Sequence, residues 1–379
     1  MTRARILADY VNAGDELALK APLASPTFTG TNTVSGDLVP ATPLSHRNMI
    51  INGAMQVWQR ATAATAASQS YHTVDRWKML ESTDGAYTSE KHTMSLAELN
   101  TTGHSTALKL VPTTADTDIE ASQYAYISQS IEAQNCQHLQ YGTANAKTLT
   151  LSFWVKSNIT GIWTINITKR DTTNAVYVSE YTINVANAWE QKTITISPTA
   201  GSTSYITGAG GVIANDNGQG LELAFNLGYG SNWNSATSNT WNNGTNWSTT
   251  NHSTTASFMA NTNNTFYLTG VQLELGSSAT PFEHRSFADE LRLCERYYQK
   301  VGGNLYMGHT SANTYYSSNV NFKTEMLGTP TADYGGFSGP QAGVIVLEEI
   351  TPRGCRFTSL AASSSVSAYG GVCTFAKEL

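Results

Sequence analysis

Apolar and polar residues alternate along several short stretches of the chain, the period-two pattern of a β-strand with one buried face. The clearest run extends from Leu149 to Lys156. The other alternating positions are Trp163, Ile165 and Ile167; Tyr181, Ile183 and Val185; Ile194 and Ile196; and Leu221, Leu223, Phe225 and Leu227. The last strand is predicted to run from Phe266 to about Leu275. These strands predict two packed sheets, a β-sandwich body over residues 46–285.

A helix is predicted over residues 286–301, because its apolar residues fall on one stripe. These residues are Phe287, Leu291, Cys294 and Tyr298. Ser286 is a good N-cap, and Gly302-Gly303 is a stop signal. We expect a single spacer helix that bundles with its copies, with a solvated opposite face made of Glu290, Arg292, Glu295 and Arg296.

The two ends of the chain are predicted to form smaller units. In residues 1–45, Ile6 to Val11 have helical spacing, and prolines then favour an extended shaft. This segment has too few apolar residues for its own core, so it packs on copies of itself or on a partner, unless it is a floppy leader. Residues 302–379 predict a small β unit with a thin core, a buried strand at Gly343–Leu347 and a turn at Gly370-Gly371.

Composition supports a mainly β protein. Charged residues make up only 13%, whereas hydrophobic residues at 40% and aromatic residues at 10% are enough for a core. The formal net charge of −6 argues against a nucleic-acid partner. No apolar run approaches the length of a signal peptide's core or of a transmembrane segment, so neither the usual export route nor membrane insertion is expected.

Enzymatic chemistry is not indicated by the motifs. Cys136, Cys294, Cys355 and Cys373 lack metal-site spacing and predict free buried thiols, with a Cys355–Cys373 disulfide as the alternative. The isolated acids Asp75, Asp216, Glu222 and Glu274 define no catalytic pair. Glu283-His284-Arg285 precedes a helix and is interpreted as a structural junction. We therefore expect no enzyme, no cofactor and no metal.

Two groups of aromatic residues are candidates for a binding surface. Within residues 226–253, Tyr229, Trp233, Trp241 and Trp247 lie among many Asn, Ser and Thr residues. Flat rings and amides suit sugar binding, although a loop that stitches subunits together or clamps a sandwich end is the preferred interpretation. Near the C-terminus, the second group consists of Tyr306, Tyr315, Tyr316, Tyr334 and Phe337. It ranks first for receptor contact by position, and the loop ranks second by chemistry.

Three stretches resemble bacteriophage tail-fibre proteins. Ala21–Gly30 (APLASPTFTG) is similar to a repeat of fibre shafts. Residues 48–60 (NMIINGAMQVWQR) with Val74–Trp77 (VDRW), and residues 268–276 (LTGVQLELG) continuing to Tyr298, are similar to the start and end of a carbohydrate-binding-like jelly roll in such fibres.

The resemblance implies a homotrimer in the virion tail, made in the host cytoplasm. Residues 1–45 would anchor it to a tail or baseplate protein, and residues 302–379 would form a tip that contacts a host surface glycan or an outer-membrane receptor. The predicted function is receptor binding during host adsorption. The alternatives are a tailspike depolymerase that cleaves host polysaccharide and a purely structural tail connector.

Overall fold

The computed structural model describes residues 45–65, 70–201, 205–255, 257–308, 315–333, 345–360 and 366–379. All of them belong to one compact unit, Thr42–Leu379. The predicted fold class is confirmed, since this unit is mainly β and is built of antiparallel sheets. The helix and shaft predicted for residues 1–45 lie outside the described residues, except for Ser45.

Two six-stranded antiparallel sheets form a β-sandwich consistent with a jelly roll. Their strands are β1 (Ala63–Thr65), β2 (Lys78–Ser82), β3 (Ala86–Thr93), β4 (Thr106–Thr114), β5 (Tyr124–Glu132), β6 (Leu149–Ser157), β7 (Gly161–Lys169), β8 (Ala175–Ile183), β9 (Glu190–Ile196), β10 (Gln219–Tyr229), β11 (Thr240–Asn243) and β12 (Phe266–Leu275). The first sheet has the order β1-β3-β4-β12-β6-β9, and the second has the order β11-β8-β7-β10-β5-β2.

The core lies between these sheets, where the predicted apolar faces meet. On β6 and β10 the alternate residues from Leu149 to Val155 and from Leu221 to Leu227 are buried. Phe153 of the first sheet meets Phe225 of the second edge to face, with ring centroids 4.9 Å apart. The predicted buried position is wrong at Val185, which lies beyond the end of β8 and is 58% exposed.

The two sequence stretches at the start and end of the sandwich contact each other. The Asn48 side chain donates to the Val271 carbonyl at 3.0 Å and accepts from the Leu273 amide at 3.1 Å. Gly270 lies at a register shift of β12 and has φ +60°, a conformation that favours glycine. These contacts place residues 48–55 beside the last strand of the sandwich.

The helix predicted for residues 286–301 begins at the predicted N-cap but ends earlier than predicted. The α-helices of the described residues are α1 (Leu96–Thr102), α2 (Thr250–Thr255) and α3 (Phe287–Glu295). Ser286 caps α3 by accepting from the Asp289 amide at 3.2 Å. The prediction of a helix to residue 301 is wrong, because Tyr298–Val301 pair in register with Cys373–Ala376 instead. Strand pairing satisfies the same backbone groups that a longer helix would have used.

The expected solvated face of α3 is also wrong for three of its four residues. Glu290 and Glu295 are buried, and the Glu290 carboxylate accepts from the Asn52 amide at 2.5 Å. Arg296 is half-buried and donates to Glu132 at 2.6 Å. Phe287 of the predicted apolar stripe is instead 57% exposed. The helix therefore faces the sandwich with a partly charged surface.

Two three-stranded sheets follow α3. Their strands are β13 (Tyr298–Gly308), β14 (Tyr315–Asn321), β15 (Thr331–Asp333), β16 (Ile345–Thr351), β17 (Gly354–Leu360) and β18 (Val366–Ala376), with the orders β13-β18-β15 and β14-β17-β16. Gly302, Gly303, Gly370 and Gly371 were predicted as stop and turn signals, but all four lie within the β13–β18 ladder. Val346 of the predicted buried strand is 40% exposed. A second, small core gathers Met326, Phe357 and Phe375.

An ion-pair network joins the end of the chain to the sandwich; we call it the Glu378 network. The Glu378 carboxylate accepts from the Arg60 guanidinium at 2.7 Å and from the Arg76 guanidinium. Arg76 also donates to the Ser130 carbonyl at 2.8 Å and stacks 3.4 Å from the Tyr297 ring centroid. The C-terminal sheets are therefore fixed to the sandwich by buried charges.

Candidate functional site

The outer face of the second sheet carries polar and aromatic side chains. On β10, residues Leu223 and Phe225 point into the core, so the alternate residues Glu222 and Asn226 face outward. Register pairs Asn226 with Tyr126 on β5, and pairs Ala224 with Asn166 on β7. The outward residues of three central strands thus form one surface.

A loop after β10 is tied onto this surface by two amide side chains. Asn166 Nδ2 donates to Asn226 Oδ1 at 3.0 Å, and Asn226 Nδ2 donates to Thr164 Oγ1 at 2.8 Å. Both amides also donate to the Trp247 carbonyl, at 3.2 and 2.8 Å. These buried bonds fix the position of the Trp247 backbone above the sheet.

Five aromatic rings run across the surface in a connected series, which we call the ring row. Its members are Tyr124, Tyr126, Tyr229, Trp247 and Trp233. Ring centroids are 5.7 Å apart for Tyr124–Tyr126 and for Tyr126–Tyr229, 6.3 Å for Tyr229–Trp247 and 4.8 Å for Trp247–Trp233. Tyr229 is buried under its neighbours, whereas the other four rings are half-buried and present part of their surface to solvent.

A charged pair lies beside the ring row. Arg170, just after β7, donates through Nε to Glu222 Oε2 at 3.0 Å, and its Nη2 donates to the same oxygen. Burial, and then the Glu222 charge, raise the pKa of Tyr126 above its ordinary value, with Arg170 opposing. The phenol therefore stays protonated, as a hydrogen-bond donor and acceptor, across the physiological pH range.

The predicted loop candidates divide into two groups. Trp233, Trp247 and Tyr229 belong to the ring row. Trp241 instead lies in the sandwich core, 2% exposed, with its indole N–H bonded to the Ser197 carbonyl at 3.0 Å. An accessible ring is therefore the wrong expectation for Trp241, because β11 pairs with β8 and turns this side chain inward.

The C-terminal candidates are only partly placed. Tyr306 lies on β13, and Tyr315 and Tyr316 lie on β14. Tyr334 and Phe337 lie outside the described residues. Their assignment to receptor contact stays a prediction.

Tyr124, Tyr126 and Arg170 were not among the residues predicted from the sequence, and Glu222 was interpreted as an isolated acid that defines no catalytic pair. Tyr124-Ala-Tyr126-Ile has the alternation that places both tyrosines on the outer face of β5. That signal was available in the sequence. The Arg170–Glu222 pair joins residues 52 positions apart and depends on the β7–β10 register.

The Glu283-His284-Arg285 run holds the junction before α3. The Glu283 carboxylate accepts from the amides of Arg47 and Asn48 at 3.1 and 2.9 Å. Burial opposes the charged form, but these amide donors lower the pKa of Glu283. Arg285 donates to the Ile50 carbonyl at 3.1 Å. Both side chains are thus engaged in structural contacts, as the junction interpretation predicts.

Three other properties of the described residues bear on the site. They contain no cluster of three or more His, Cys, Asp or Glu residues arranged to hold a metal ion. Among their helices, none has the length and apolar character needed to cross a membrane. All four cysteines are free and buried, which confirms the predicted thiols.

Comparison with known proteins gives structural likenesses alone. No protein-family model matches the chain, and no curated protein matches it. It is similar to the enzymatically active domain of bacteriophage CBA120 tailspike protein 4, with 13% identity and a TM-score of 0.29 over 60% of this chain and 21% of that one. The chain thus spans about a fifth of the length of this tailspike structure.

Two carbohydrate-binding modules also have similar structures. A family 11 module from Clostridium thermocellum, in complex with a β-1,3-1,4-mixed-linked tetrasaccharide, is 12% identical with a TM-score of 0.28, over 57% of this chain and all of that one. TmCBM61, in complex with β-1,4-galactotriose, is 9% identical with a TM-score of 0.25, over 61% of this chain and 99% of that one. Likenesses at this level do not establish a function.

Proposed function

We propose that this chain is a phage tail-fibre protein that binds a glycan on the host bacterial surface through the ring row. The observation that carries the glycan assignment is the series of five rings on the outer face of the second sheet, four of them partly open to solvent. The phage assignment rests on the resemblance of the shaft and jelly-roll stretches.

The ring row suits a sugar for a physical reason. A pyranose has apolar C–H faces and a polar edge, so it is bound well where flat aromatic faces adjoin hydrogen-bonding groups. Here the phenols of Tyr124 and Tyr126 and the charged pair Arg170–Glu222 provide those groups next to the rings. The spacing of neighbouring rings, 4.8 to 6.3 Å, lets one extended glycan contact several of them.

The remaining parts of the proposal follow from the resemblance. Three copies form the fibre, residues 1–45 attach it to a tail or baseplate protein of the virion, and residues 302–379 offer a second contact with the host. The protein acts by binding and does not cleave its receptor. Light scattering should give a mass near three times 40.8 kDa, and a stable monomer would contradict the trimer.

The binding test uses one ring and a matched control. Trp247→Ala should reduce adsorption of the purified protein to host cells about tenfold, because an aromatic contact with the ligand contributes on the order of 1.4 kcal/mol. Tyr267→Ala is the control, since Tyr267 is half-buried on β12 of the other sheet and away from the ring row. Equal adsorption of both variants and wild type would contradict a role for the ring row.

A cleavage assay separates binding from depolymerisation. Prolonged incubation with purified host polysaccharide should leave its chain-length distribution unchanged. Steady release of oligosaccharides would favour the depolymerase alternative. Point variants are preferred to deletion of residues 302–379, because that deletion removes Glu378 and leaves the buried Arg76 without its carboxylate partner.

A further inference from the structure

The Arg170–Glu222 pair beside the ring row does not use all of its hydrogen-bonding atoms. Both printed bonds of Arg170 to Glu222 end on a single carboxylate oxygen, Oε2. Among the described residues, Arg170 Nη1 and Glu222 Oε1 have no hydrogen-bond partner. Neither atom is one of the fully buried side-chain atoms that lack a partner, so both are accessible to solvent. One guanidinium donor and one carboxylate acceptor are therefore available on the same pair.

Backbone contacts among β5, β7 and β10 hold the Arg170–Glu222 pair in place. The Arg170 amide donates to the Gly220 carbonyl at 3.1 Å, which fixes its backbone to β10. Glu222 pairs with Thr168 on β7 and with Ser130 on β5. The Glu222 side chain is 7% exposed and that of Arg170 is 28% exposed. A ligand on the ring row therefore meets an ordered donor and acceptor, so that little side-chain freedom is lost on binding.

The pair is close to the rings. Tyr126 and Ser130 share the outward phase of β5, and Ser130 is the register partner of Glu222, so Glu222 and Tyr126 lie on the same face of the second sheet. Burial is the main cause that raises the pKa values of Tyr126 and Tyr229, and the charges of Glu222 and Arg170 also act on both phenols. A sugar ring stacked at Tyr126 would therefore place its hydroxyl edge near the pair. This proximity links the polar contact to the aromatic one.

From these observations we infer that the site selects neutral sugars with a vicinal diol, and excludes polyanionic glycans; this inference rests on the proposed function. Adjacent hydroxyls match the pair, because one accepts from the guanidinium while its neighbour donates to the carboxylate. The two charges cancel, so the pair offers no net attraction to a uronate or phosphate polymer. The formal net charge of −6 of the chain adds repulsion for such polymers.

Affinity electrophoresis of the full chain tests the selectivity without any variant. The gels contain a neutral polysaccharide (dextran, mannan or galactomannan) or a polyuronate (alginate or polygalacturonate). We expect retardation in at least one neutral gel and none in the polyuronate gels. Periodate oxidation cleaves vicinal diols, so the retarding polymer, oxidised and then reduced with borohydride, should no longer retard the protein.

The outcomes separate the inference from the proposed function. Retardation by polyuronates, or by the oxidised neutral polymer, would overturn the inference while leaving glycan binding intact. Retardation in none of the five gels would count against both.

Two substitutions assign the selectivity to the pair. Glu222→Gln should weaken neutral-polysaccharide binding about tenfold, the equivalent of one charge-assisted hydrogen bond, and should create polyuronate retardation because Arg170 keeps its charge. Glu90→Gln is the matched control, since Lys109–Glu90 is a partly exposed ion pair of 2.9 Å on the other sheet. If Glu222→Gln behaves like Glu90→Gln, the pair does not set the selectivity.

Discussion

Replacing Glu378 by glutamine should destabilise the whole unit, because it leaves a buried guanidinium without its counter-charge. The Arg76 side chain is fully buried, and that of Glu378 is 11% exposed. Arg76 would keep its bond to the Ser130 carbonyl and its stacking on Tyr297, but neither of these neutralises a charge. Arg60, 10% exposed, would lose the same partner.

The expected loss is about 3 kcal/mol. Removing one partner of a buried ion pair costs about 3–5 kcal/mol, and the glutamine oxygen still accepts a hydrogen bond, so the lower end applies. Urea unfolding followed by tryptophan fluorescence measures the change as a shift in midpoint. The loss should persist in about 0.5 M salt, since buried charges are screened much less than exposed ones.

Glu325→Gln is the control for this measurement. Arg353 and Glu325 form an ion pair of 3.1 Å whose side chains are 81% and 55% exposed. Breaking an exposed pair changes stability by at most about 1 kcal/mol. If Glu378→Gln costs no more than Glu325→Gln, the Glu378 network does not hold the C-terminal sheets to the sandwich.

Other buried groups give three predictions. Burial lowers the pKa of His252 to about 4, so the folded protein favours the neutral imidazole ring. The free energy of unfolding should therefore fall as the pH drops from about 6.5 towards 4, and an NMR titration midpoint near 6.5 for His252 would contradict this. Gly270→Ala places a Cβ 2.4 Å from His104 Nε2 and should cost about 2–3 kcal/mol in urea unfolding, whereas Gly103→Ala, also at positive φ but in open space, should cost about 1 kcal/mol. The four buried thiols, with the pKa of Cys136 raised to about 12 by burial, should react with a disulfide reagent only as the chain unfolds, and a fast native reaction would refute their burial.

The strands that alternate clearly were predictable from sequence. The runs Leu149–Lys156 and Phe266–Leu275 became β6 and β12 almost without change. In β6 every second residue faces a core made by the opposite sheet, so the local pattern and the tertiary packing agree. In β12 the core-facing residues change phase at the register shift around Gly270.

The end of α3 was not predictable, because its residues suit two structures. Tyr298 continues the helical stripe, yet it also begins a strand whose partner, β18, comes some 70 residues later. Local periodicity contains no information about that partner. Gly302 and Gly303 were interpreted as a helix stop for the same reason, whereas they pair with Val372 and Gly371.

The candidate site was partly predictable. Trp233 and Trp247 stand out by chemistry, since they lie in an Asn-rich stretch with few aliphatic neighbours. The Arg170–Glu222 pair does not stand out, because each residue has an ordinary local context. Only the register of β7 against β10 brings the two side chains together.

The Glu378 network also implies an order in which contacts form during synthesis of the chain. Arg76 precedes Glu378 by 302 residues, which a ribosome adds in roughly 15–60 s at about 5–20 residues per second. All twelve strands of the two large sheets emerge before Glu378 does, so a sandwich that folds during synthesis assembles around a guanidinium that still lacks its counter-charge. Closure of this long-range contact is then a late step, and nascent chains halted before Glu378 should be more open to proteases than full-length chains.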